Sequence, residues 1–121
     1  MSSRKAVVER YLQGFRRSDH EMVLSSLTDD VEWDMPNAFQ LAGKAAFDKE
    51  IENDAFVGSP TITIDRMLED GDCVIAEGNV QGQFRDGGRL NARFCDLFDF
   101  DGDLIRRVTT YQPMVEPEAG T

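Results

Sequence analysis

Asp96 is the residue whose surroundings suit it least. In RLNARFCDLFDF, residues 89–100, Leu90, Ala92, Phe94, Phe98 and Phe100 fall on one side of an extended strand, and Asp96 falls among them. A bare carboxylate in an apolar stripe is too costly to persist, so such an acid is protonated, hydrogen-bonded or in use. The chemistry open to it is that of a neutral carboxyl, kept protonated by desolvation, that donates a hydrogen bond to an oxygen of a bound molecule. Two plainer readings stand beside it. One is a structural carboxyl bonded to Tyr11 or Gln112. The other is a strand shifted by one residue, so that Asp96 meets solvent.

Other residues could share the task. A tight turn at Asp86-Gly87 pairs the strand 72–84 with 89–100 and puts Glu77 roughly opposite Asp96. Two facing carboxyls would couple, and one pKa would rise; the alternative is a place for Glu77 on the outer sheet surface. Asp34 could move a proton if it turned inward, or be a solvated strand residue. Trp33 and Met35 alternate with it as core or pocket wall. Arg106 and Arg107 straddle the last strand, so one of them is a candidate to reach a pocket. His20 reads as a surface residue at a helix start. Asp99, Asp101 and Asp103 lack the 12-residue pattern and terminal Glu of a calcium loop. Gly-rich phosphate loops, a Ser-His-Asp order and zinc-ligand spacings are absent, so neither cofactor nor metal is expected.

The elements that must position these residues follow from periodicity. Residues 3–17 carry Val7, Val8, Tyr11, Leu12 and Phe15 on a helical stripe. Ser18-Asp19 breaks it and caps a second helix over 19–28, giving a helical hairpin. VEWDMP, 31–36, is a short strand stopped by Pro36. Residues 37–42 read as a loop, and Gly43-Lys44 opens a third helix over 44–56. Four strands follow, at 61–70, 72–84, 89–100 and 104–112, joined at Gly71, Asp86-Gly87-Gly88 and Asp101-Gly102. The strand 72–84 has small or apolar even positions and polar odd ones, which the assumed register sets against the wrong face of its neighbour. A bulge at Gly78 or Gly82 would reconcile them and bend the sheet. The pattern is α+β: a strongly curved antiparallel sheet, cone-shaped, wrapped by three N-terminal helices; the alternative is a sheet partly buried on both faces, one on the helices and one against another subunit.

Composition narrows the function classes. The chain has 121 residues, which suits one domain, here taken as 1–115 with a disordered tail at 116–121. Thirteen Lys and Arg against 23 Asp and Glu give a net charge of −10, which argues against nucleic acid and anionic membranes as partners. An apolar run long enough to span a bilayer and a signal-peptide core are both missing from the sequence, so a cytoplasmic location is expected. Cys73 and Cys95 are read as reduced thiols too far apart in the hairpin to pair.

The order of elements resembles the nuclear transport factor 2-like superfamily, which includes ketosteroid isomerases, SnoaL-like polyketide cyclases and limonene epoxide hydrolases. The resemblance is carried by ERYLQGFRRSDHEMVLSSLTDDVEWDMP, LAGKAAF and CDLFDFDGDLIRRVTTYQ, and covers roughly residues 4–113. It implies the cone-shaped α+β barrel fold, a hydrophobic pocket and a homodimer through the outer sheet face. Ketosteroid isomerases hold a dienolate oxygen between a Tyr of the first helix and a protonated Asp of the penultimate strand, while a second Asp just before a Pro moves the proton. The resemblance places Tyr11 and Asp96 at the two donor positions. At the position of the base stands Met35, with Asp34 one residue earlier and facing the other side of an unbulged strand. Gln112 replaces an aromatic near the end of the last strand. Limonene epoxide hydrolases have a similar segment where this chain has Asp34-Met35-Pro36, but their Arg-x-Asp pair falls where this chain reads Glu77-Gly78-Asn79-Val80. SnoaL-like cyclases use a carboxylate or His in the pocket, and the one histidine here is His20.

The resulting expectation is a pocket for a small hydrophobic carbonyl compound, steroid- or polyketide-like. Tyr11, Asp96 and Asp34 are its candidate catalytic groups, and Trp33, Met35, Phe94, Phe98, Gln112 and Glu77 its candidate ligand contacts. The function is that of an isomerase or cyclase working by acid–base catalysis, or of a non-catalytic ligand-binding or dimeric assembly module without the base. The direction of Asp34 separates them: inward supports catalysis, whereas a pocket whose sole inward acid is Asp96 removes the isomerase version.

Overall fold

Alternation of apolar and polar residues from Thr61 onward makes the chain a sheet, and its turns make that sheet a meander. The computed structural model describes residues 3–52 and 56–115. Strands β3 (Thr61–Asp70), β4 (Cys73–Gln83), β5 (Arg89–Asp101) and β6 (Leu104–Tyr111) follow one another antiparallel. Gly71, Gly87 and Gly102 each take a positive φ in the three turns, a conformation that glycine adopts without steric cost. The proposed disordered tail at 116–121 and residues 53–55 of the expected third helix lie outside the described residues; that helix stops at Ile51 rather than running to 56, since Glu52 is extended and Phe56 bridges to Phe84.

Two further strands complete the sheet. β1 runs Leu27–Met35, starting four residues earlier than its periodicity suggests, and β2, Phe39–Ala42, folds back on it where a loop was expected. The strand order is β2-β1-β6-β5-β4-β3, with β1 parallel to β6, and the sheet curls without closing. Helices α1 (Ser3–Arg17), α2 (His20–Leu24) and α3 (Lys44–Ile51) lie on its inner face. Asp19 caps α2 by accepting a hydrogen bond from the Met22 amide at 3.0 Å. Gly14 lets α2 close on α1, because a Cβ there would stand 2.5 Å from Val23 Cγ2.

The register corrects the sequence reading in three places. β4 and β5 pair without interruption from Cys73↔Asp99 to Gln83↔Arg89, so even positions face even positions and no conflict exists between them. Asp96 lies opposite Ala76, and Glu77 opposite Cys95 on the other face. The bulge is on β3 instead, at Asp65, where the pairing slips between Ile64 and Arg66. Gly78 faces this bulge, and a Cβ there would meet Thr63 O at 1.9 Å, so only glycine permits the approach. A second slip between Asp99 and Phe100 makes Arg106 the extra residue of β6. It turns both Arg106 and Arg107 outward while Ile105 and Val108 stay buried. Neither arginine lines the chamber described below.

Alternate residues of β4 and β5 then point inward: Val74, Ala76 and Val80 from one, Leu90, Ala92, Phe94, Asp96, Phe98 and Phe100 from the other. Tyr11 of α1 meets Phe98 edge-on at 5.2 Å and Phe47 of α3 at 6.0 Å. Trp33 of β1 stacks on Phe47 at 4.6 Å. These rings belong to one buried cluster between the helices and the sheet. Arg4 ties α1 to the turns at one end of the sheet, donating to Gly71 O and Gly102 O and pairing with Asp72 at 2.9 Å.

Candidate active site

Between α1 and the inner face of the sheet is a chamber of about 130 Å³ whose wall is apolar except at one end. Leu12 and Phe15 come from α1, Ile62, Val80 and Phe94 from β3 to β5, and Trp33 and Met35 from β1. Tyr11, Asp96, Thr110 and Gln112 supply the polar atoms. Asp96 is the one carboxyl in this lining, and the lining carries no cation.

Asp96 is 8% exposed. Its cross-strand partner in β6 is Thr110, also buried. Trp33 Nε1–H donates to Thr110 Oγ1 at 3.0 Å. That leaves the Thr110 hydroxyl proton for Asp96, to which it is hydrogen-bonded. The other carboxyl oxygen, Oδ1, is buried without a protein partner. Burial raises the Asp96 pKa to about 7, and the Thr110 bond offsets a smaller part of that rise. Tyr11 is pushed well above its ordinary value by burial first and by the Asp96 charge second. Its phenol therefore stays neutral and can act as a donor. The chamber is thus lined by a phenol that stays neutral and by a carboxyl that holds its proton up to about pH 7.

The structure sorts the residues singled out in the sequence. Tyr11, Asp96, Trp33, Met35, Phe94 and Gln112 are brought to the chamber. Phe98 is not: it is fully buried behind Tyr11, as core rather than wall. Glu77 is on the outer face, 2.8 Å from Arg66, because the register differs by one residue from the one assumed. Asp34 also points outward. It pairs with Thr109, whose neighbour across β5 is Leu97, a residue of the outer face. Its carboxyl lies 3.8 Å from Arg107 and accepts from Gln40 Nε2 at 3.4 Å. Met35 takes the inward place before Pro36, so the position expected to carry a base carries a thioether. His20 does more than sit at a helix start. Its two ring nitrogens contact Asp48 and Glu52 at 2.5 Å each, joining α2 to α3 and raising its pKa.

Sequence reasoning missed Thr110. It is two residues before Gln112 on a strand recognised from the start, but its pairing with Asp96 depends on the Arg106 bulge, which no turn signal marks. It also missed a second, larger cavity of about 560 Å³. Phe15, Trp33, Met35, Pro60, Val80 and Gln112 belong to the walls of both, so the two chambers adjoin across these residues. Cys73 and Cys95 are free thiols on the outer side of the sheet. Among the described residues no group of three or more His, Cys, Asp or Glu is placed to hold a metal ion, and no helix is long and apolar enough to cross a membrane.

Comparison with known proteins places this geometry. The profile of the SnoaL-like domain matches residues 8–108, so the chain belongs to the SnoaL-like family. No curated protein matches the sequence. An epoxide hydrolase of the LEH-like type from M. tuberculosis is similar in structure, with a TM-score of 0.80, 20% identity, and coverage of 92% of this chain and 83% of that one. TerC, co-crystallised with polyporic acid, gives a TM-score of 0.79 at 20% identity, covering 90% of each chain. A candidate ketosteroid isomerase from Kribbella flavida gives 0.74 at 22% identity, covering 98% and 84%. At these identities the likeness is one of fold.

Proposed function

For this member of the SnoaL-like family, we propose that the inner chamber binds a small, largely hydrophobic molecule and that neutral Asp96 donates a hydrogen bond to an oxygen of that molecule, with Tyr11 at the same end. One observation carries the reading: Asp96 Oδ1 is buried at the chamber without a protein partner. Native proteins rarely leave such an atom unsatisfied, and a ligand oxygen is the partner that an apolar chamber with a single acid suits. The structural neighbour holding polyporic acid supports small-molecule binding in this fold. Anions are disfavoured, since the lining holds no cation and the chain carries −10.

The raised pKa of Asp96 favours a second, catalytic form of the same reading. An acid that titrates near 7 can both give and take a proton at neutral pH. The isomerase version with a separate donor and base is removed, because Asp96 is the one carboxyl in the lining; the catalytic form that remains is one in which Tyr11 holds the substrate oxygen and Asp96 itself moves the proton. Asp34 and Glu77 have no part in it, as both face away. The experiment is a 3-oxo-Δ5-steroid isomerisation assay with a parallel binding titration, on wild type, Asp96→Ala and Asp34→Ala. Turnover abolished by Asp96→Ala and kept by Asp34→Ala supports catalysis. Binding that Asp96→Ala weakens, without turnover, supports the binding module. Binding indifferent to Asp96→Ala contradicts both.

The outer sheet face supports a homodimer. Leu68, Ile75 and Leu97 lie side by side across β3, β4 and β5, and Leu68 is 53% exposed. A contiguous apolar row on a solvent-facing sheet suits a second copy of the chain. Light scattering should then give twice 13.6 kDa, and Leu97→Asp should return it to one.

A further inference from the structure

Two separate pieces of the larger chamber's wall are tied to one short join, Ser18-Asp19-His20, between α1 and α2. One piece is the C-terminal end of α3, where Glu50, Ile51 and Glu52 line the chamber. His20 holds it, with Nδ1 on Asp48 and Nε2 on Glu52. The other piece is residues 56–60, where the Ser59 hydroxyl lies 2.6 Å from that of Ser18. The α3 piece needs its tie. An eight-residue helix is too short to be stable alone. Its N-cap, Gly43, has no side chain to bond, and its first turn has no acid. Asp48, Glu50 and Glu52 instead crowd its C-terminal end, where the helix dipole disfavours negative charge, against Lys49 as the one base of the last turn. A protonated imidazole between Asp48 and Glu52 offsets this, since both of its nitrogens donate. A neutral one has a single N–H, so one carboxylate is left facing a lone pair.

We propose that His20 is a proton-controlled clasp on α3: with its proton it holds the α3 side of the larger chamber closed, and without it that side loosens while the Ser18–Ser59 tie stays. The effect on a ligand rests on the reading that the adjoining inner chamber binds a small molecule. Asp48 and Glu52 are the charged groups that face the imidazole, and their hydrogen bonds, that of Asp48 first, raise its pKa above the ordinary 6.5. α1 meets α2 through Gly14, and its Arg10 reaches the far end of α2, at Ser25. Asp19 is engaged by the Met22 amide, while Arg17, Glu21 and Lys49 are exposed. Because the folded pKa is the higher one, the clasp is complete below 6.5 and is lost as pH rises through the folded value. The His20 side chain is 38% exposed, which keeps the effect small and local to α3.

The test is amide-exchange protection in α3, read by NMR from about pH 6 to about pH 9 on wild type, His20→Gln and His20→Arg. The chain has one histidine, so its imidazole resonance gives the midpoint without ambiguity. Protection of the wild-type helix should fall about fivefold with that midpoint, the order expected of one exposed charged contact. His20→Gln should show the lower protection throughout. His20→Arg, which keeps its charge and donors at every pH, should stay protected. The Val57 amide, bonded to Gln83 O at 2.7 Å in the other piece of wall, should not follow the titration. Protection that is flat with pH in wild type, or that falls equally in His20→Arg, would overturn the clasp. Stopped-flow entry of N-phenyl-1-naphthylamine, a neutral apolar fluorophore, reads the consequence: its association rate should rise with the His20 midpoint in wild type and be flat in His20→Arg. A flat wild-type rate would overturn control of access. A rise kept by His20→Arg and lost in Asp96→Asn would assign the pH dependence to Asp96 and overturn the clasp while sparing the chamber. Failure of the small-molecule reading looks different: the probe binds at no pH, and the exchange result alone decides the clasp.

Discussion

On the outer face of the sheet Glu77 sits 2.8 Å from Arg66 and Asp65 sits 2.8 Å from Arg93, in contact with water. On the inner face Asp96 has one hydroxyl, from Thr110, and no cation in the wall around it. The two faces belong to the same strands, and Glu77 and Asp96 are on neighbouring strands one register position apart. What separates them is the parity of a strand position. Outward, a carboxylate keeps its hydration and gains an arginine at little cost or benefit. Inward, it loses water and gains one donor, so its proton stays on. The difference shows why a carboxyl on the charge-poor face, rather than on the charge-rich one, keeps its proton toward neutral pH.

The comparison is broken most directly by pH. In the unfolded chain Asp96 releases its proton near 3.8, while in the folded protein it holds it to about 7. Between those values the unfolded state binds fewer protons, so stability falls as pH rises and levels off above the folded pKa. The difference between 3.8 and about 7 corresponds to roughly 4 kcal/mol for this one group. Denaturant melts of Asp96→Asn should lack this fall and be more stable than wild type at pH 8. An identical pH dependence in the two proteins would contradict the inward placement.

A smaller effect is expected at Thr110. Thr110→Val removes the one bond that lowers the Asp96 pKa, which should then rise further. It also strands the Trp33 indole N–H, at a cost of about 1–3 kcal/mol. Carboxyl titration and thermal melts of the same variant read the two consequences separately. The smallest effects belong to the outer face. Glu77→Gln breaks an exposed pair and should change stability by less than about 1 kcal/mol. Asp34→Asn should leave both ligand affinity and the Asp96 pKa unchanged, and a change in either would mean that the two faces are coupled.

The strands from Thr61 onward were legible because each is bounded by a glycine turn and keeps its alternation. Asp96 was legible for the same reason: an acid breaks the stripe. β2 was not, since Phe39-Gln40-Leu41-Ala42 is four residues long and its strand character comes from lying against β1. Leu27 reads equally as the last apolar residue of a helix and as the first of a strand, and its pairing with Ile105 decides for the strand. The partners of Asp96 were hidden for a related reason. Strand pairing is periodic in two, so an error of one residue moved Glu77 to the wrong face, and the bulge at Arg106 concealed Thr110.

The central claim is that Asp96, facing an apolar chamber, holds its proton up to about pH 7. Side-chain carboxyl carbon NMR, titrated from acid to pH 9 on wild type and Asp96→Asn, tests it without any ligand. One resonance should titrate with a midpoint near 7 and be absent from the variant. If every carboxyl of the wild type titrates below about pH 5, in the ordinary range for solvated acids, then Asp96 is hydrated or otherwise paired, and the account of the site fails with it.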